Sequence, residues 1–194
     1  MKTDIILAGV GGQGILSIAA VLGIAALNEN LHLKQAETHG MSQRGGAVVS
    51  HVRISDEPIA SDLIPKGKAD IILSVEPMEA LRYLPYLKKD GYIISNSTPF
   101  INISNYPDVK VLFEEMKSKS KVILIDADQM AKKARSLKAS NMVMIGAASP
   151  FIQIEPEKIK VGITKIFKRK GEEIVQMNLN AFQMGREHTL ANLS

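Results

Sequence analysis

Between Ile5 and Leu27 the chain carries no charged side chain, yet Gly9-Val10-Gly11-Gly12-Gln13-Gly14 interrupts that apolar stretch near its start. Each glycine inside a helix costs about 1 kcal/mol relative to alanine, so the stretch cannot be one continuous helix. The apolar run that follows, Ile15 to Leu27, is shorter than the ~20 residues a membrane crossing needs. Asp4 also dilutes the basic region expected of a signal peptide. These residues read instead as a buried strand ending at Ala8, a glycine turn, and a helix with Ile15, Ile18, Ala19, Leu22 and Ala26 at helical spacing.

The same alternation continues. Strands are predicted over Leu31 to Glu37, Ala47 to Ile54, Ala69 to Val75, Gly91 to Ser95 and Lys121 to Ile125. Pro77 suits the first position of a helix carrying Leu81, Leu84 and Leu87, which Pro85 should kink or end. Asp126 or Asp128 can cap a helix that begins near Gln129, and Asn141 to Ala148 is compatible with helix or strand. Glu155-Pro156 opens the first of two C-terminal helices. Glu172 opens the second, with Ile174, Met177, Ala181 and Phe182 on one face. The expected fold is α/β: a Rossmann-like three-layer sandwich with a mostly parallel sheet and a C-terminal helical arm. The 194 residues are read as a single domain, with an α/β core over 1–150 and the C-terminal helices over 151–194.

Composition narrows the chemistry. Cysteine is absent, which excludes disulfides, a cysteine nucleophile, thiolate zinc and cysteine-ligated iron–sulfur clusters on this chain. The location is cytoplasmic by default, with no membrane association. The net charge of +4 is unevenly spread: residues 1–109 hold nine Lys/Arg against eleven Asp/Glu, and residues 110–194 hold fifteen against nine. The densest basic cluster, Lys165, Lys168, Arg169 and Lys170, falls at the end of the predicted helix bearing Ile159, Ile163, Ile166 and Phe167. Cations there complement the helix dipole. With no interleaved aromatics, nucleic-acid binding is not expected.

Two segments carry the candidate chemistry. Gly9, Gly11, Gly12, Gln13 and Gly14 satisfy the G-x-G-x-x-G spacing directly between a predicted strand and a predicted helix. The unpaired N–H groups and positive end of that helix favour an anion, or the rim of a partner's cofactor site. A tight turn whose glycines only permit close packing remains the alternative. The second segment, Glu37-Thr38-His39-Gly40-Met41-Ser42-Gln43-Arg44-Gly45-Gly46, gathers an acid, an imidazole, an amide and a guanidinium among glycines. Arg44 offers a planar donor fork for carboxylate or phosphate, and Gly45 and Gly46 allow backbone to approach a ligand or a facing subunit. The alternative is a solvated loop with an intramolecular salt bridge. Glu37 sits where a dinucleotide site holds its ribose, so a stand-alone Rossmann-type NAD(P)-binding oxidoreductase stays in view. His32, His39, His51 and His188 form no ligand-spaced cluster, and no metal site is expected. Glu76-Pro77 lies at a strand end, as a ligand edge or simply a helix start. Ser149-Pro150 lacks a nucleophile elbow.

GVGGQG at 9–14, ETHGMSQRGG at 37–46, SHVRIS at 50–55 and ADIILSVEP at 69–77 resemble the gamma-type subunits of 2-oxoacid:ferredoxin oxidoreductases. Weaker echoes are Asn96-Ser97-Thr98, Asn141 with Gly146, and Asn180-Ala181-Phe182 with Gly185, so the similarity spans nearly the whole chain. The ETHGMSQ run favours enzymes of aryl pyruvates such as indolepyruvate. The resemblance implies a non-catalytic subunit in an oxidative decarboxylation that yields aryl-acetyl-CoA, carbon dioxide and reduced ferredoxin. It further implies thiamine diphosphate and [4Fe-4S] clusters in a large alpha-type partner subunit, coenzyme A as co-substrate of the complex, and ferredoxin met through that complex. This chain would bind no cofactor alone and be inactive alone, and the resemblance nominates no residue for bond-making.

Overall fold

The computed structural model describes residues 1–39 and 45–193. Its strands are β1 (Lys2–Val10), β2 (His32–His39), β3 (Ala47–Ser55), β4 (Ala69–Ser74), β5 (Leu87–Asn96) and β6 (Lys121–Ile125). They form one sheet in the order β2-β3-β1-β4-β5-β6. β1, β4, β5 and β6 run parallel, and β3 is antiparallel to both of its neighbours.

Successive side chains of a strand point to opposite faces, and the core divides accordingly. Ile5 and Leu7 of β1, Ile71 and Leu73 of β4, and Ile94 of β5 join one hydrophobic cluster. Ile6, Ala8, Ile72 and Ile93 join the other. The first face is covered by α1 (Ile15–Asn28), α4 (Ala127–Lys133), α5 (Ser140–Ala148), α6 (Pro156–Phe167) and α7 (Glu172–Leu193). The second carries α2 (Pro77–Arg82) and α3 (Val109–Lys119), with Ile64 from the connection after β3.

Several expectations needed adjustment. The segment 141–148 is helical: every residue from Met142 to Ala148 is buried, and an all-round apolar helix is stable only inside such a packing. Methyl groups on Gly146 or Gly185 would overlap the backbone of Phe182 and Val143, so α5 and α7 cross at backbone contact. The expected face of α7 holds at Ala181 and Phe182 and differs toward its start. Val175, Asn178, Ala181, Phe182, Gly185 and Thr189 are buried, whereas Ile174 and Met177 are only half-buried. α2 ends at Arg82; Leu84 to Tyr86 forms a 3-10 turn around Pro85, and Leu87 already belongs to β5. The helix α3 was not anticipated. It buries only Leu112 and Met116, and Asp108 caps it by accepting from Lys110 N at 2.7 Å.

Candidate functional site

β1 delivers the first glycine segment to the end of the sheet where all four parallel strands terminate. The β1–β3 ladder closes at Val10 opposite Ala47. Just beyond it, Gly11 N donates to Gly46 O at 2.8 Å and Gly45 N donates to Gly11 O at 3.3 Å. The two motifs singled out in the sequence therefore meet as one backbone-paired edge. Gly12 and Gly14 have φ of 101° and 77°, a region that side chains make costly. A methyl group on Gly12 would meet nothing within 4 Å among the described residues, whereas a side chain on Gly14 would collide with Asn141.

Gln13 faces inward. Its Oε1 accepts from Val10 N at 2.7 Å and its Nε2 donates to Val75 O at 3.4 Å, clasping the end of β1 to the end of β4. Asn141 Nδ2 donates to Gly14 O at 3.1 Å and ties α5 to the turn. α1 starts at Gly14 with no side-chain cap and no acid in its first turn, leaving a positive helix end beside the glycines.

The segment joining β5 to α3 crosses over this edge as a strap. Asn102 Nδ2 donates to Gly45 O at 2.6 Å. Nearer the sheet, Phe100 N donates to Glu76 Oε1 at 3.4 Å, and the Tyr106 hydroxyl donates to the same oxygen. Glu76 Oε2 accepts from Glu79 N at 2.9 Å and caps α2, so the helix-start reading of Glu76-Pro77 holds and the carboxylate reaches the strap as well.

Two cavities flank the glycine turn. One, of about 320 Å³, is lined by Val10, Gly11, Ile15, Leu16, Glu37 and Val48 among others. Glu37 Oε1 is buried and has no hydrogen-bond partner among the described residues. An orphaned buried oxygen of this kind is unfavourable until a donor reaches it. The other, of about 380 Å³, lies over the strand ends between Gln13, Asn96, Phe100, Asp128, Lys138 and Asn141. Leu16, Phe100, Ile101 and Leu137 stand exposed around this edge.

Charged groups elsewhere serve the frame. Asp4, buried in β1, accepts from Arg53 Nε at 2.8 Å and Nη2 at 3.2 Å. Arg53 Nη1 also donates to Ser61 O and Leu63 O, fastening the connection after β3. His51 Nδ1 accepts from Ile64 N at 3.1 Å, and burial holds its pKa below the usual histidine value. Burial pushes the Glu79 carboxyl up, partly offset by Arg82 at 2.8 Å. Asp126 caps α4, accepting from Gln129 N at 2.8 Å. Lys165 donates to Asn28 Oδ1 at 2.7 Å, and Lys170 lies 5.4 Å over the Phe167 ring, in keeping with a helix-terminal role for that basic cluster.

Of the expected site residues, Gly9, Gly11, Gly12, Gln13, Gly14, Gly45 and Gly46 come together. His39 closes β2 opposite Val48, but its side chain, like Gln43 and Arg44, lies outside the described residues. Asn102 and Tyr106 were not anticipated, because no short-range pattern marks a strap anchored 57 and 30 residues away. Among the described residues, no group of three or more His, Asp or Glu is placed to hold a metal ion, and no helix is long and apolar enough to cross a membrane.

Residues 4–188 match the family described as pyruvate ferredoxin/flavodoxin oxidoreductase. The chain belongs to that family. Among its relatives is the indolepyruvate oxidoreductase subunit IorB of Pyrococcus horikoshii, 38% identical over 94% of this chain and 93% of the relative. The IorB subunit of Archaeoglobus fulgidus is 36% identical over 98% and 97%. More distant is a 2-oxoglutarate synthase subunit, KorC, of Methanothermobacter marburgensis, 32% identical over 96% of each chain. The pyruvate ferredoxin/flavodoxin oxidoreductase fold is also found in solved structures. The gamma subunit of a keto/oxoacid ferredoxin oxidoreductase from Geobacter sulfurreducens superposes with a TM-score of 0.72, at 24% identity over 97% of this chain and 99% of that one. A 2-oxoglutarate:ferredoxin oxidoreductase from Magnetococcus marinus, with 2-oxoglutarate, coenzyme A and succinyl-CoA bound, gives 0.79 at 24% identity, and this chain spans 31% of its length. The α/β sandwich expected from the sequence is thus the family's fold. A stand-alone NAD(P) enzyme is set aside, since the relatives are oxidoreductase subunits.

Proposed function

We propose that the chain is the small subunit of an indolepyruvate-type 2-oxoacid:ferredoxin oxidoreductase, and that it completes a site whose reactive groups belong to a large partner subunit. The observation that carries this reading is the pairing of Gly11 with Gly45 and Gly46. It makes one composite, glycine-built edge at the ends of the parallel strands, bordered by exposed apolar side chains. Such an edge lets backbone approach a facing surface or ligand.

The donor set of this chain does not suit iron–sulfur clusters, because it has no cysteine. As the resemblance to 2-oxoacid:ferredoxin oxidoreductases implies, thiamine diphosphate and [4Fe-4S] clusters are assigned to the large subunit, with ferredoxin reached through it and a cytoplasmic location for the assembly. Coenzyme A is compatible with this edge. The uncapped α1 N-terminus and the Gly12–Gly14 turn suit phosphate, and Glu37 lines the adjoining cavity. Coenzyme A brings the thiol that carries away the acyl group. This chain would contribute binding and exclusion of water, with Gln43 and Arg44 steering an anionic group or locking the interface.

Co-expression with the large subunit tests the reading. The two chains are expected to co-purify with thiamine diphosphate and clusters, and to reduce ferredoxin when given indolepyruvate and coenzyme A. Arg44→Ala is expected to weaken assembly or raise the apparent KM for coenzyme A; if both stay unchanged, Arg44 has no such role.

A further inference from the structure

Glu76 is fully buried, yet no cation forms an ion pair with it among the described residues; Arg82 is taken by Glu79. A buried carboxylate is retained only where several donors converge on it. Here they come from two different places. Glu79 N belongs to the first turn of α2, while Phe100 N and the Tyr106 hydroxyl belong to the strap. Ser74 Oγ donates to Glu76 O at 2.5 Å, anchoring the same residue to the end of β4.

The strap in turn touches both halves of the glycine edge. Phe100 walls the cavity that Gly12, Gln13 and Gly14 also line. Asn102, two residues further, holds Gly45 O. Gln13 meanwhile reaches Val75 O, one residue before Glu76. Glu76 therefore closes a ring of contacts running from the first glycine segment through β4 and the strap to the second.

We propose that Glu76, acting through Tyr106, is a positioning residue: it latches the strap over the strand-end cavity and thereby sets the shape of the edge offered to the co-substrate. This rests on the proposed function only for its kinetic consequence; the latch itself is a property of the isolated chain. In support, burial and the neighbouring Glu76 carboxylate push the Tyr106 phenol well above its ordinary pKa, which keeps it a donor.

Two variants separate the latch from the helix cap. Tyr106→Phe removes the hydroxyl, one of the strap's two donors to Glu76, and leaves the cap untouched. Glu76→Asp keeps a good capping residue and shortens its reach. Hydrogen exchange on the isolated chain should show the strap's N–H groups between Ser97 and Tyr106 exchanging roughly tenfold faster in both variants, with α2 unchanged. In the complex with the large subunit, the apparent KM for coenzyme A should rise roughly fivefold while kcat moves less than twofold. Unchanged exchange in both variants overturns the latch. Faster exchange with an unchanged KM overturns its role at the edge. If the wild-type chain does not join the large subunit at all, the proposed function fails, and the exchange result still decides the latch.

Discussion

Glycine does opposite jobs at two places in this molecule. At the crossing of α5 and α7, Gly146 and Gly185 let two helices touch backbone to backbone, and any side chain there would overlap a carbonyl. At the strand ends, Gly12 has nothing among the described residues within 4 Å of where a Cβ would sit. The first pair fills space inside the protein. The second keeps space open outside it, and an open backbone beside an uncapped helix end suits a ligand or partner rather than the fold. Neighbouring Gly14 belongs to both worlds, with a positive φ and Asn141 pressed against it.

The largest effect should come from Gly146→Ala. Forcing the helices apart is expected to cost about 3 kcal/mol or more, read as a lowered urea midpoint. Gly185→Ala should behave alike, and the double variant should cost less than the sum, because the first separation relieves the second. A midpoint within error of wild type would mean the crossing is looser than described.

Gly14→Ala should cost an intermediate amount, about 2 kcal/mol, from the left-handed backbone and the Asn141 contact together. Adding Asn141→Ala should recover only part of it, since the backbone strain stays. If the second change restores full stability, the φ of Gly14 is not the constraint. Gly12→Ala should cost about 1 kcal/mol in stability. It should nevertheless impair co-purification with the large subunit more than Gly14→Ala or Gly146→Ala does at equal folded fraction. Equal impairment would erase the contrast between the two regions.

The smallest effect concerns pH and lies away from both. Burial lowers the pKa of His51 in the folded chain, so below about pH 6.5 the unfolded chain takes up a proton that the folded one refuses. Its stabilising contribution is present above that value and is lost as pH falls toward the folded pKa, at no more than about 1.4 kcal/mol per pH unit. His51→Gln, whose carbonyl can still accept from Ile64 N, should flatten the stability profile between pH 7 and 5. An unchanged slope would place the titration elsewhere.

The parts of the fold legible in the sequence were those whose signal is local. β1, its glycine turn and α1 follow from one apolar stretch and its breakers. β6 begins and ends where its apolar run does, and Glu155-Pro156 and Glu172 mark the starts of α6 and α7. α3 escaped because only two of its side chains are buried, too few to give a period. On α7 the expected Ala181 and Phe182 are buried, while Val175 and Asn178 take the places expected of Ile174 and Met177. At the site, both glycine motifs stood out, but their pairing depends on the β1–β3 register. The Asn141–Gly14 contact spans 127 residues, and no local pattern encodes it.

The most direct test is indolepyruvate-dependent reduction of ferredoxin, measured with this chain alone, with the large subunit alone, and with both. Full turnover is expected only from the mixture. Turnover by this chain unaided, or a rate from the large subunit that this chain leaves unchanged, would contradict the idea that it completes another subunit's site.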